Sequence, residues 1–329
     1  MSLAMMIDAH GRKINYLRLS VTDRCNLRCR YCMPADGVPL LPHGEILSYE
    51  ELLLIARTAV SLGIEKIRVT GGEPLVRRGI LVFLSRLAGI PGLRQLVLTT
   101  NGLLLEEMAE PLKNAGVQRL NVSIDSLDLQ NFQRITRRGG MTRVLAGIAA
   151  AERAGFPIKL NMVVMRGVND HEVVDFAALT LDKAYTVRFI EFMPSSGEKD
   201  DWRSHVVPGR EILEKVAKLY PFDEISRGEL AGPAQDYRIR GAVGKIGVIT
   251  PVTGHFCDGC NRIRVTASGM ARGCLFSREE MDLKPLLRED GAPGLEKALL
   301  SIVRFKPEKH RLCSDDPGKR PLRMSRVGG

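Results

Sequence analysis

The sequence predicts an α/β fold built on a parallel sheet, and three observations predict it. Between about residues 16 and 191, short apolar runs alternate with amphipathic helical stretches. The run-then-helix rhythm occurs six times. Polar motifs gather directly after the apolar runs: Thr70-Gly71-Gly72-Glu73-Pro74, Thr99-Thr100-Asn101-Gly102 and Ser123-Ile124-Asp125-Ser126. Consecutive β-then-α units imply parallel strands joined by right-handed crossovers. A doubly wound sheet and a barrel both satisfy this pattern. In either, reactive groups collect at the C-terminal ends of the strands.

The predicted strands are Tyr16–Val21, Lys66–Thr70, Gln95–Thr99, Gln118–Ile124, Ile158–Val164 and Tyr185–Glu191. After the first, Ser48 and Glu51 have capping-box spacing. Leu52, Ile55, Ala56 and Ala59 then follow helical spacing, and Gly63 supplies a C-terminal stop. A helix over Met141–Ala154 ends at Gly155. Asn169 and Glu172 have the spacing of a second capping box, ahead of Val173, Val174, Ala177 and Ala178. Beyond Pro194 the texture changes: Ser195–Asp201 reads as a polar loop, Gly209–Leu219 as a helix, and Tyr237–Thr250 as strands broken by glycine.

The chain has 329 residues, long enough for one large α/β domain of roughly 250 residues and an appendage. Apolar runs such as Leu52–Ile55 are far too short to span a membrane, and there is no signal-peptide hydrophobic segment. A cytoplasmic protein is expected. The net charge of +10 favours an anionic partner, nucleic acid or a nucleotide triphosphate, or serves solubility alone. With ten Phe, six Tyr and one Trp and no interleaving of aromatics with basic residues, a stacking platform for single-stranded nucleic acid is not expected.

Six of the seven cysteines form two triplets, Cys25/Cys29/Cys32 and Cys257/Cys260/Cys274, while Cys313 stands alone as an ordinary thiol. Reduced thiols in tight groups suggest metal rather than disulfides. Three thiolates on a short loop can hold three irons of a cubane cluster, and the missing ligand leaves the fourth iron open. A structural zinc site is the competing reading, but a compact triplet without a nearby histidine suits zinc poorly.

Cys25-x3-Cys29-x2-Cys32, with Tyr31 before the last cysteine, resembles the signature of the radical S-adenosylmethionine superfamily. Gly71-Gly72-Glu73-Pro74 looks like that superfamily's methionine-binding segment, although two glycines after a strand also suit a turn needing positive φ. Cys257-x2-Cys260-x13-Cys274, the Asn261-Arg262-Ile263-Arg264 step and the terminal Gly328-Gly329 resemble the GTP 3′,8-cyclase family, with similar segments from about residue 11 onward. A radical enzyme acting on peptides would carry more C-terminal cysteines. A zinc-stabilised nucleic-acid module would leave the glycine segment unexplained.

The resemblance implies an incomplete (βα)6 TIM-type barrel over residues 11–193 and a C-terminal α+β extension over 194–329 that closes its open side. It implies two 4Fe–4S clusters, one on Cys25, Cys29 and Cys32 and one on Cys257, Cys260 and Cys274. S-adenosylmethionine would meet Tyr31, Gly72, Ser123 and Met193. GTP would meet Arg18, Arg68, Thr99, Lys159, Arg262, Ile263 and Arg264. The physical logic agrees with the resemblance: Arg18, Arg68 and Lys159 lie on different strands of one sheet and can converge on a triphosphate, which carries about four negative charges. Arg188 is a further candidate outside this set. The reaction implied is a lyase chemistry: a 5′-deoxyadenosyl radical takes the ribose 3′ hydrogen of GTP, and the 3′ carbon then bonds to carbon 8. Its product, 3′,8-cyclo-7,8-dihydro-GTP, leads towards the molybdenum cofactor. Partners implied are an electron donor such as flavodoxin or ferredoxin and a downstream cyclic pyranopterin monophosphate synthase. No nucleic acid or membrane partner is expected, and a homodimer is one admissible assembly. Asp8, His10, Glu73, Asp125 and Glu191 show no spacing that suggests acid–base work.

Overall fold

The computed structural model describes residues 6–194, 202–226, 228–254, 256–277, 279–310 and 324. The expected loop 195–201, Cys313 and the Gly-Gly end therefore lie outside the described residues.

The alternation read from the sequence is realised as β1 (Tyr16–Ser20), α1 (Tyr49–Ser61), β2 (Lys66–Thr70), α2 (Ile80–Ala88), β3 (Gln95–Thr100), α3 (Leu105–Asn114), β4 (Arg119–Ser123), α4 (Leu129–Thr136), α5 (Met141–Arg153), β5 (Ile158–Val164), α6 (Val173–Asp182) and β6 (Thr186–Glu191). All six strands are parallel to their neighbours. The C-terminal part follows with α7 (Gly209–Ala217), β7 (Phe222–Ile225), β8 (Gln235–Ile239), β9 (Lys245–Ile249), β10 (Arg262–Val265), β11 (Met270–Arg272), β12 (Met281–Asp282), α8 (Lys284–Glu289) and α9 (Gly291–Arg304).

Among the described residues the strands form one sheet, in the order β12-β11-β10-β1-β2-β3-β4-β5-β6-β9-β8-β7. This is a partial barrel whose sheet does not close. The extension walls the open side of the cavity without joining the two edges of the sheet. It adds a parallel strand to each edge instead, β10 beside β1 and β9 beside β6, and continues outward in antiparallel pairs. A free sheet edge exposes unpaired backbone groups; the added strands pair those of β1 and β6 and leave the short β12 and β7 as the edges of the open sheet.

Side-chain alternation along the strands divides the sheet into two faces. One face carries Leu17, Leu19, Ile67, Val69, Leu96, Leu98, Leu120 and Val122, all fully or almost fully buried. They pack against Leu52, Ile55 and Ala56 of α1 and Phe83 and Leu84 of α2 in a single core. Each such side chain contributes about 1.5–3 kcal/mol by leaving water. The other face carries Arg18, Arg68, Asn121, Asn161 and Arg188, and it encloses the cavity described below.

The Ser48–Glu51 capping box forms in both directions. Gly63 stops α1 with φ 101°, which suits a residue lacking Cβ. The second expected box does not form. Asn169 makes no capping bond; its side chain instead accepts from Met165 N and donates to the carbonyls of Asp125 and Val163. Glu172 accepts from Ser126 Oγ, Leu127 N and Asn131 Nδ2. Tertiary partners outcompete the local cap because both side chains are buried, where unmet polar groups are costly. No helix among the described residues is long and apolar enough to cross a membrane.

Candidate functional site

The loop after β1 carries Cys25, Cys29 and Cys32 and is shaped from two sides. Arg28 N and Arg30 N donate to Thr136 and Ile135 carbonyls at the end of α4, each at 3.0 Å. Arg137 donates to the carbonyl of Met33 at 2.8 Å. On the other side Gly72 N donates to Thr22 O and Glu73 N to Arg24 O, both at 2.7 Å. A Cβ on Gly72 would stand 2.3 Å from Arg24 O, and one on Gly71 2.8 Å from Thr22 O. Neither glycine has positive φ among the residues so assigned. Close backbone approach, rather than a turn, explains the pair.

Glu73 is buried and accepts from Leu75 N, Thr100 Oγ1 and Asn101 N. Burial raises its carboxyl to about 7, against the pull of those donors. Asn101 in turn donates to Asn26 Oδ1 at 2.7 Å and approaches Cys25 Sγ at 3.8 Å. Tyr31 donates its hydroxyl to Asp125 at 2.8 Å, and Val163 N donates to the other oxygen. Burial raises Asp125 to about 6.

Cys257, Cys260 and Cys274 face the same space from the extension. Arg12 is ion-paired with Asp8 and donates to the carbonyls of Cys257, Pro307 and Glu308. Lys306 donates to the carbonyls of Arg262 and Gly273, which flank the cysteine pair and Cys274. Burial works against a thiolate at Cys260, but Arg262 and Lys306 together bring it down to about 6.

Both triplets line one cavity, with an empty volume of about 1770 Å³ including its mouth. The same walls contain Tyr31, Gly72, Ser123 and Met193, and Arg18, Arg68, Thr99, Arg262 and Arg264. Lys159 and Ile263 are not among the lining residues. Ile263 is in the core because β10 alternates, sending Arg262 and Arg264 to the opposite face. Lys159 sits one row below, paired in register with Asn121 and Thr186. Burial and the neighbouring Arg188, Arg119 and Arg68 push its amine down to about 5, with Asp236 pulling the other way.

Arg264, Arg18 and Arg68 stand side by side in one row of β10, β1 and β2. Among the described residues, Arg188 Nε, Arg262 Nε and Nη2, and Arg264 Nη1 are buried without hydrogen-bond partners. Buried cationic donors in this state are costly unless an anion meets them. Arg188 belongs to this wall by the same inward parity as Lys159 on β5, and that parity was the signal by which sequence reading could have included it. Phe256, Phe276, His310 and Met324 also line the cavity, and nothing in their spacing marked them. Glu191 is an anchor: it accepts from Gly209 N, Val252 N and Thr253 N, tying β6 to the extension.

The donor set fits iron–sulfur ligation. Burial raises Cys25, Cys29 and Cys32, with their mutual repulsion adding to it for Cys29 and Cys32, so a positively charged centre is what would hold them as thiolates. Among the described residues, no three Cys, His, Asp or Glu side chains lie close enough together for a single metal ion. The glycine pair lets the backbone after β2 pack directly on the cysteine loop, and both glycines line the cavity beside the thiols.

The family described as "Radical SAM superfamily" matches residues 19–180, and "Molybdenum Cofactor Synthesis C" matches residues 185–312. The chain is 60% identical to a GTP 3′,8-cyclase of Geobacter sulfurreducens, over 98% of this chain and 99% of that one. It is 46% identical to a GTP 3′,8-cyclase of Moorella thermoacetica, over 98% and 100%. Among solved structures it resembles SuiB of Streptococcus suis, with a TM-score of 0.60 at 14% identity, covering 96% of this chain and 68% of that one. It also resembles anSMEcpe with bound AdoMet, with a TM-score of 0.56 at 15% identity and 94% of each chain covered. These two likenesses bear on the fold. Identity over nearly the whole length, added to two triplets on one cavity, places the chain in the GTP 3′,8-cyclase family of the radical S-adenosylmethionine superfamily.

Proposed function

We propose that this chain converts GTP to 3′,8-cyclo-7,8-dihydro-GTP in the first step of molybdenum cofactor biosynthesis, using two 4Fe–4S clusters. The observation that carries this reading is a single cavity walled by both cysteine triplets and by buried arginines with unmet donors. When bound, the first cluster and S-adenosylmethionine supply a 5′-deoxyadenosyl radical that takes the ribose 3′ hydrogen, so that the 3′ carbon bonds to carbon 8.

Cys25, Cys29 and Cys32 would hold the first cluster, and Cys257, Cys260 and Cys274 the second. Tyr31, fixed in place through Asp125, would flank the adenine of S-adenosylmethionine, with the Gly72 backbone, Ser123 and Met193 around the rest. Arg18, Arg68 and Arg264 form a cationic row suited to a triphosphate, with Lys159 behind it and Thr99 on the same wall. Arg262 stands over the Phe256 ring at 5.4 Å and beside Cys260, where it would steer the guanine end; Ile263 would contribute only backbone. These side chains do no proton transfer: they hold the ribose in reach and exclude water. The working division is a barrel unit over 11–193 and an extension over 194–329. An acidic one-electron carrier such as flavodoxin or ferredoxin, a cytoplasmic setting, a homodimer and a downstream cyclic pyranopterin monophosphate synthase complete the proposal.

The test is anaerobic turnover of protein reconstituted with iron and sulfide, with dithionite and S-adenosylmethionine, with and without GTP. Equal amounts of 5′-deoxyadenosine and cyclised nucleotide, formed only with GTP, are expected. Deoxyadenosine without a nucleotide product would overturn the substrate and turn attention to peptides.

A further inference from the structure

The cations behind the cavity wall are crowded. Burial first, and the charges of neighbouring arginines after it, lower Lys66 to about 8, Lys159 to about 5 and Arg188 to about 10, and lower Arg119 as well. The Asp236 carboxylate opposes this at Arg119, Lys159 and Arg188. Asp236, on β8 of the extension, lies 2.7 Å from Lys245 Nζ and 3.7 Å from Arg188 Nη2.

Asp236 reaches the basin through a gap. Arg188, Gly247 and Asp236 occupy one cross-strand row of β6, β9 and β8, and residues in such a row share a face. A Cβ on Gly247 would stand 2.6 Å from Asp236 Oδ1, so a glycine is what lets the carboxylate lie across β9. Oδ1 is buried and accepts no hydrogen bond among the described residues. The pairing with Arg188 is therefore loose on that side, held by charge and not by a directed bond.

We infer that Asp236 is a resident counter-ion of the phosphate basin, which neutralises it when empty and weakens its hold on nucleotide. This rests on the triphosphate placement proposed above. The cyclisation leaves the triphosphate chain unchanged, so the cations grip substrate and product alike. Such uniform binding tightens both complexes without accelerating the chemistry. A carboxylate standing among the cations offsets that grip and favours release of the product.

The test is anaerobic calorimetric titration of the cluster-loaded enzyme with GTP and with guanosine, in the absence of S-adenosylmethionine so that nothing turns over. Asp236→Asn is expected to tighten GTP binding roughly five- to tenfold and to leave guanosine unchanged. Gly247→Ala keeps every charge but displaces the carboxylate, and is expected to shift GTP binding in the same direction. In turnover, KM for GTP should fall in both variants with no rise in kcat. GTP binding that is unchanged or weaker in Asp236→Asn would overturn the inference, and equal tightening of guanosine would do so too. Wild-type enzyme that binds GTP no better than guanosine would overturn the triphosphate placement itself, and this inference with it.

Discussion

At the scale of single residues, the site is governed by what burial does to charge. Lys159 is held near 5, far below an exposed lysine, by desolvation and by the arginines around it. Its stability contribution has a definite sign. The unfolded chain binds this proton more tightly, so the empty protein gains stability as pH rises from about 5 towards 10.5. A bound triphosphate reverses the balance, because phosphate charge favours the ammonium form. Binding of GTP at pH 7.5 is therefore expected to take up close to one proton. Calorimetry in buffers of differing ionisation enthalpy would measure it, and Lys159→Met should abolish most of the uptake. Arg18, between Leu17 and Leu19, was legible in the sequence for a related reason, since arginine inside an apolar strand needs a partner, whereas Arg262 and Arg264 were marked by the family resemblance. Arg188 and Lys66 obey the same rule and stand in the same wall or directly behind it.

At the scale of elements, alternation decided more than motif. β10 sends Arg262 and Arg264 to the cavity and Ile263 to the core, so adjacent residues of one motif take different environments. The Asn169–Glu172 spacing shows the opposite limit. A pattern that reads as a local cap is used to join three elements, because Glu172 holds Ser126, Leu127 and Asn131 at the entry to α4. That helix in turn pins the first cysteine loop. Glu172→Ala is expected to cost about 3 kcal/mol by leaving buried donors unmet. Chemical denaturation would measure this, and the loss should be accompanied by faster proteolysis of the loop over residues 24–40. A loss under 1 kcal/mol would mean that water replaces the carboxylate.

At the scale of the whole molecule, the two triplets are brought together by segments distant in sequence. Arg12 joins the N-terminal turn to Cys257 and to residues 307–308, and it is buried with its partner Asp8. Removing one member of a buried pair strands the other. Arg12→Met is expected to destabilise the fold by about 3 kcal/mol. On the proposed two-cluster reading it should also lower iron from about eight towards about four atoms per chain, with the first cluster retained. Iron analysis with Mössbauer spectroscopy would distinguish this outcome from equal loss at both triplets, which would mean that the clasp serves the fold alone.

The sequence by itself determined the parallel α/β core, the grouping of the cysteines and the strands that carry the cavity arginines. Each of these rests on local periodicity or short spacing, which a chain writes within a few residues. The tertiary structure alone decided how the extension meets the core, by adding a strand to each edge of the sheet. It also decided that Gly71 and Gly72 serve close backbone contact, and that Asp236 meets Arg188 across Gly247. These depend on which strands become neighbours and in what register, and non-local pairing leaves no signature in any one segment.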